Sequence, residues 1–184
     1  IQGWVELNLI QYLQRRNPSI PGIVDKLYPP KERSLKKVKN YWKMIVSIKP
    51  IYEIYGGNRL DEKDISIDHF VPWSYVAHDE LWNLTPTTRS INSSKSNYLP
   101  DWNVYFPMLC KMEYLSYHLI WEYPEVHKAF DKCAKEHLNN QEIKHKLYQK
   151  GLSEEELSGR LEEVMFPVYQ SAKSMGFSNW ILRR

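Results

Sequence analysis

Cysteine is nearly absent from this 184-residue chain, with Cys110 and Cys133 the only two. A distant pair in a Lys-rich sequence fits a reducing compartment, where both are expected as buried thiols, and two thiolates cannot complete a Cys₄ zinc site. The sequence also lacks an apolar run of spanning length, an internal repeat and a low-complexity tract, so a soluble chain without a membrane partner is expected. Its opening, IQGWVELNLI, has neither a Met nor a basic segment ahead of an apolar one. Nothing there reads as a secretory signal; the expectation is a cytoplasmic protein, either trimmed or a piece of a longer one. A strong charge of one sign is missing too, the formal net charge being +3.

What is present is apolar and aromatic material, 42% and 14% of residues, enough for one domain or for a small motif wrapped by a larger helical body. Residues 2 to 16 place Trp4, Leu7, Ile10, Tyr12 and Leu13 at amphipathic helical spacing, ending at Asn17-Pro18. A Pro-rich connector, NPSIPGIVDKLYPP, follows. From Glu32 to about Ile48 the pattern predicts a second helix, with Leu35, Val38, Trp42, Ile45 and Val46 on one side and Lys36, Lys37, Lys39 and Lys43 around the rest. Those lysines fit either a solvated face or contacts to a nucleic-acid backbone. Pro50 to Tyr55 alternates as a strand, and Gly56-Gly57-Asn58 turns the chain. Beyond Pro100 the chain reads as helical: one helix through Phe106, Leu109, Met112, Leu115 and Leu119, another from Val126 to Leu138, a third over Asn139 to Lys150, and a fourth opened by a capping box at Ser153 and closed at Pro167. The closing GFSNWILRR offers aromatics for packing or docking. His118, His127, His137 and His145 read as core or surface histidines.

Between these helical parts lies SIDHFVPWSYVAHDELWNLTPTTRSINSSKSNYLP, residues 66 to 100. Ile65, Ile67 and Phe70 around Asp68-His69 predict a short strand closed by Pro72, and Leu81 to Thr85 a second closed by Pro86. In RSINSSKSN, Asn92 and Lys95 stand three apart on one helix face, with Thr87, Thr88 or Ser90 available as N-cap. The order is strand, long loop, strand, helix.

This pattern resembles the HNH nucleases of the ββα-metal superfamily, which carry an Asp-His pair ending the first strand, an Asn opening the second, and a His or Asn on the helix followed by Lys three residues on. The matches are Asp68-His69, Asn83, Asn92 and Lys95, an HNN variant, and DHFVP with NSSKS looks like the HNH domain of RNA-guided CRISPR nucleases. Taken singly, each residue also fits a strand end, a turn or a solvated loop. Five matches in register favour the nuclease site. Thr88 and Ile91 stand where many relatives carry a zinc knuckle, so no structural zinc is expected.

Hydrolysing a phosphodiester needs a base for the attacking water and charge neutralisation on the phosphate and the leaving oxygen. His69, with an imidazole pKa of ~6.5 when unperturbed, suits the first task. The hard oxygens of Asp68 and Asn92 suit one Mg²⁺ or Mn²⁺. The resemblance implies that the Asn83 amide ties the loop to the backbone and fixes His69. Lys95 is read as a phosphate contact or a helix anchor, Arg89 as a second groove contact, and His78 as a surface residue beside Asp79 and Glu80 in preference to a phosphate contact or a member of the metal shell.

The expected fold is α+β, a ββα-metal motif at 51–100 embedded between helical segments 1–50 and 101–184 that together form one compact unit. The expected function is metal-dependent hydrolysis of DNA, with RNA left open as a substrate. The rival readings are a non-catalytic nucleic-acid-binding module and a nuclease subunit that works only inside a larger assembly.

Overall fold

A computed structural model describes residues 2–16, 23–24, 34–138 and 140–182. The connector at 17–22 and 25–33, including the expected helix start at Glu32, lies outside the described residues. The elements in chain order are α1 (Gln2–Arg16), α2 (Lys36–Ile48), β1 (Ile65–His69), α3 (Trp73–Val76), a 3₁₀ turn (Leu81–Asn83), β2 (Leu84–Thr88), α4 (Arg89–Lys95), β3 (Leu99–Pro100), α5 (Trp102–Glu122), α6 (Pro124–His137), α7 (Gln141–Tyr148), α8 (Glu154–Ser174) and β4 (Asn179–Trp180). The chain is α+β, mostly helical, with the strand–strand–helix motif between helical parts. Among the described residues no helix is long and apolar enough to cross a membrane.

α2 owes its place to Val38, Tyr41, Trp42 and Ile45, buried at helical spacing against β1, β2 and α6. On the far side, α5 packs against α6 and α8. The helix starts are capped as their sequences dictate. The Asp101 carboxylate accepts from the Val104 amide (3.1 Å), Asn140 caps α7, and Ser153 with Glu156 closes a reciprocal capping box on α8. Pro124 occupies the first turn of α6, where its missing donor is harmless, so that helix begins two residues before Val126. One apolar cluster runs from Val38 through Ile65, Phe70 and Leu84 to Leu119, Phe130 and Met165.

Several local expectations are corrected. The run 50–55 is not a strand: a single antiparallel bridge, Tyr52 to Arg59, forms there. The buried Glu53 carboxylate instead gathers the turn, accepting from the backbone amides of Tyr55 (2.8 Å), Gly56 (2.9 Å) and Asn58 (2.8 Å). A Cβ on Gly56 would stand 2.9 Å from Glu53 Oε1 and 2.8 Å from Asn58 Nδ2, which is why glycine sits there.

The second strand is shifted. Leu81–Asn83 forms the 3₁₀ turn and β2 continues through Pro86, which lies opposite Ile67 in the antiparallel register. The Phe70 amide donates to the Asn83 carbonyl (2.9 Å), so Ile67–Pro86, three positions along, falls at a non-hydrogen-bonded pair where no amide is required.

α8 likewise passes Pro167 and continues to Ser174, its later turns held by buried Tyr169 and Ala172. The third C-terminal helix is shorter than 139–150. The closing segment packs inward: β4 runs parallel to β3, and Trp180 meets Tyr55 edge-on at 5.3 Å between ring centroids. α1 is helical, and two of its expected inward residues are exposed: Trp4 at 70% and Leu7 at 53%.

Candidate active site

The site is built where β1 ends against α4. Thr88 starts that helix by accepting from the Ile91 amide (3.3 Å), which sets Asn92 and Lys95 one turn apart on the face toward β1. The Asn92 amide nitrogen donates to Ser66 Oγ (2.8 Å) and to the Ile67 carbonyl (3.1 Å). Lys95 is fully buried. Its ammonium donates to Asp68 Oδ1 (3.1 Å) and to the His69 carbonyl (2.7 Å), and lies 3.1 Å from Asp68 Oδ2. These bonds join helix to strand, the geometry of the anchor that is one of the two roles expected for Lys95. Burial pulls its pKa down, opposed by the adjoining Asp68 carboxylate.

Asp68 has a further partner that the sequence did not announce. The Tyr55 hydroxyl donates to Oδ2 at 2.6 Å, delivered by the turn that Glu53 organises. Burial first, and then the Asp68 charge, holds the Tyr55 pKa well above the ordinary phenol value, so the phenol remains the donor.

His69 points the other way, as strand alternation requires. Its Nε2 lies 2.7 Å from Asp79 Oδ1, both side chains being mostly buried. Asp79 had figured in the sequence only as a neighbour of His78, and the loop that brings it back begins at Ala77, whose left-handed backbone (φ 56) ends α3. A carboxylate ten residues downstream of a histidine, inside the loop returning to β2, was the available signal. Asn83 clamps the same loop: its Oδ1 accepts from the Val71 amide (2.8 Å) and its Nδ2 donates to the Val71 carbonyl (2.9 Å). His78 is half-buried and meets the Trp82 ring edge-on.

Residues 53–101 match the family model described as HNH endonuclease. The segment is an HNH motif. No curated protein and no solved structure matches the chain. The matched segment takes in Glu53 and Tyr55 as well as the strand–strand–helix core, so the turn that reaches Asp68 belongs to the HNH segment. HNH nucleases act on nucleic acid, generally with a divalent metal.

Among the described residues no group of three or more His, Cys, Asp or Glu side chains is placed to hold a metal ion. The donors the HNH motif offers are fewer and harder. The protein holds Asn92 by its nitrogen end, which leaves the amide oxygen with lone pairs suited to a hard cation, and Asp68 Oδ1 keeps lone-pair capacity beyond Lys95. One carboxylate and one amide oxygen fit a weakly held Mg²⁺-type ion whose other ligands are water and substrate.

The remaining candidates lie apart from this cluster. Arg89 is exposed at the start of α4 with Asp64 Oδ1 at 3.9 Å. Lys37 pairs with Glu136 of α6, Lys36 is exposed, and Lys39 and Lys43 are half-buried. Cys110 and Cys133 are separate buried thiols, and burial raises their pKa values to about 11 and about 12.

Proposed function

We propose that the chain is an HNH endonuclease that hydrolyses DNA phosphodiester bonds, with His69 as general base. The observation that carries this reading is the convergence of Asp68, His69, Asn83, Asn92 and Lys95 on one strand end, each held by a specific bond. With Asp79 ionised, His69 Nε2 carries the proton shared with that carboxylate, and Nδ1 is the basic nitrogen that takes the proton of the attacking water. Asn83 and Asp79 keep the ring in that orientation. A Mg²⁺ or Mn²⁺ held by Asp68 and Asn92 would supply charge neutralisation on the phosphate and the leaving oxygen. Lys95 keeps the Asp68 carboxylate aimed. Arg89 and the α2 lysines Lys36, Lys39 and Lys43 are the proposed contacts to the phosphate backbone, which position the substrate without reading its sequence. The HNH resemblance implies 5′-phosphate and 3′-hydroxyl products.

A second reading has its own support. His69 is 6% and Asp68 4% exposed, while α1 turns Trp4 and Leu7 outward. A nuclease subunit that opens only when a partner covers such an apolar face fits those exposures.

The test is single-turnover cleavage of plasmid, linear and single-stranded DNA, and of RNA, in Mg²⁺, Mn²⁺ or EDTA. Cleavage abolished by EDTA is expected. In His69→Ala it should fall by roughly 10²- to 10⁴-fold while DNA binding persists, because only the proton acceptor is lost. Asp68→Ala and Asn92→Ala should recover in part with excess Mn²⁺, and His69→Ala should not. Full activity in folded His69→Ala would defeat the mechanism. Cleavage that appears only with an added partner would favour the second reading.

A further inference from the structure

We propose that His137, on α6 and outside the segment matched to the HNH family, is a positioning residue that fixes the base through Asp79; this rests on His69 being the base. The loop between Ala77 and Glu80 is held at its far end by Asn83, whose amide nitrogen donates to the Glu80 carbonyl (2.9 Å) and whose side chain clamps Val71. Its centre is held from outside the motif. The Asp79 carbonyl lies 2.8 Å from His137 Nδ1 across 58 residues of sequence.

A carbonyl only accepts, so Nδ1 carries the proton and His137 donates. The ring is 4% exposed, which fixes its orientation by packing. Glu136 Oε2 stands 3.9 Å from Nε2, beyond hydrogen-bond reach. Asp79 is thus attached through its backbone to α6 and through its carboxylate to His69 Nε2.

The carboxylate can hold the imidazole only if its own backbone is held, and in the loop that starts at a left-handed Ala77 the Asp79 carbonyl is held by His137. α6 is suited to this task because it packs against α2, which itself packs against β1. The strand carrying His69 and the helix carrying His137 thus lean on one rigid element, and the loop is suspended between them. Orientation of this kind is worth much in rate and little in binding: a misplacement of about 1 Å near reacting atoms costs as much as ~10²-fold.

The experiment uses the full chain with supercoiled plasmid and Mn²⁺. His137→Leu keeps the bulk and loses the donor; His137→Asn places an amide nitrogen near the Nδ1 position; His137→Gln places it near Nε2, away from the carbonyl, and is the second loss variant should the Leu form not fold. The single-turnover rate at saturating DNA should fall roughly ten- to a hundred-fold in His137→Leu and His137→Gln with the plasmid Kd unchanged, and His137→Asn should recover most of it. In an Asp79→Ala background the same substitutions should add almost nothing, since the effect travels through Asp79.

A second readout does not need cleavage. In ¹⁵N-edited NMR the ring signals of His69, identified by their loss in His69→Ala, should shift in His137→Leu and His137→Gln and stay in place in His137→Asn. Unmoved His69 signals, or losses that repeat in full on Asp79→Ala, overturn the inference. An active His69→Ala would instead defeat the base assignment, and the NMR comparison would still decide whether His137 positions the ring.

Discussion

The HNH motif and the helical half each bury a carboxylate, and they treat it differently. Asp68 in β1 is surrounded by a lysine ammonium and a phenol hydroxyl, both delivered by neighbouring segments. Glu113 in α5 is buried as well, and burial pushes its pKa up to about 8. A buried carboxylate needs a cation or hydrogen-bond donors to stay ionised; one left without either takes a proton instead. The motif buries Lys95 beside its strand-end acid. The helical core keeps no charge there, and its acid is neutral at neutral pH.

The contrast is sharpest if each carboxylate is removed. Asp68→Ala leaves the fully buried Lys95 ammonium without its carboxylate and should destabilise the fold by roughly 3–5 kcal/mol, besides lowering cleavage. Asp68→Asn with Lys95→Met should lose clearly less stability than the sum of the single variants, as measured by urea unfolding, because each single variant leaves one charge without its partner and the double variant leaves none. Additive losses would mean that the pair is not the unit the distances describe.

Glu113→Gln should act in the opposite direction. The folded-state pKa of about 8 lies above the unfolded value of 4.5, so between those values the unfolded state has released a proton that the folded state retains. Wild-type stability should therefore fall as pH rises through that window, and level off above it. Glu113→Gln removes that slope and should be more stable than wild type by a few kcal/mol at pH 9, with little difference at pH 4. Parallel urea curves for the two proteins across that range would contradict a buried, unpaired acid.

The smallest effect separates charge from backbone within the motif. Ser96 ends α4 with φ 47 and ψ −127, a conformation that glycine adopts freely, and its side chain is exposed. Ser96→Gly should raise stability by about 1 kcal/mol without changing cleavage, read as a rise in Tm. A loss of stability would show that Ser96 contributes a contact outweighing its strain.

Much of this arrangement was legible in the residues alone. The spacing of Asp68-His69, Asn83, Asn92 and Lys95, the amphipathic face of α2 and the capping box of α8 are local patterns, decided by strand alternation, helical periodicity and short-range hydrogen bonds. Proline misled twice for a physical reason. Pro86 and Pro167 are local breakers, yet a non-hydrogen-bonded register position and buried residues on the next turns let the strand and the helix run on.

What the sequence by itself determined was the identity of the motif and the helical character of its flanks, since both rest on intervals of a few residues. Only the tertiary structure decided which partners those residues take: Tyr55 on Asp68, Asp79 on His69, and His137, 58 residues further on, behind Asp79. It also decided that Lys95 bonds the His69 carbonyl and that Trp4 and Leu7 of α1 are exposed. Such choices are set by which surfaces meet when the chain collapses, and no local spacing encodes a contact between a loop and a helix so far apart.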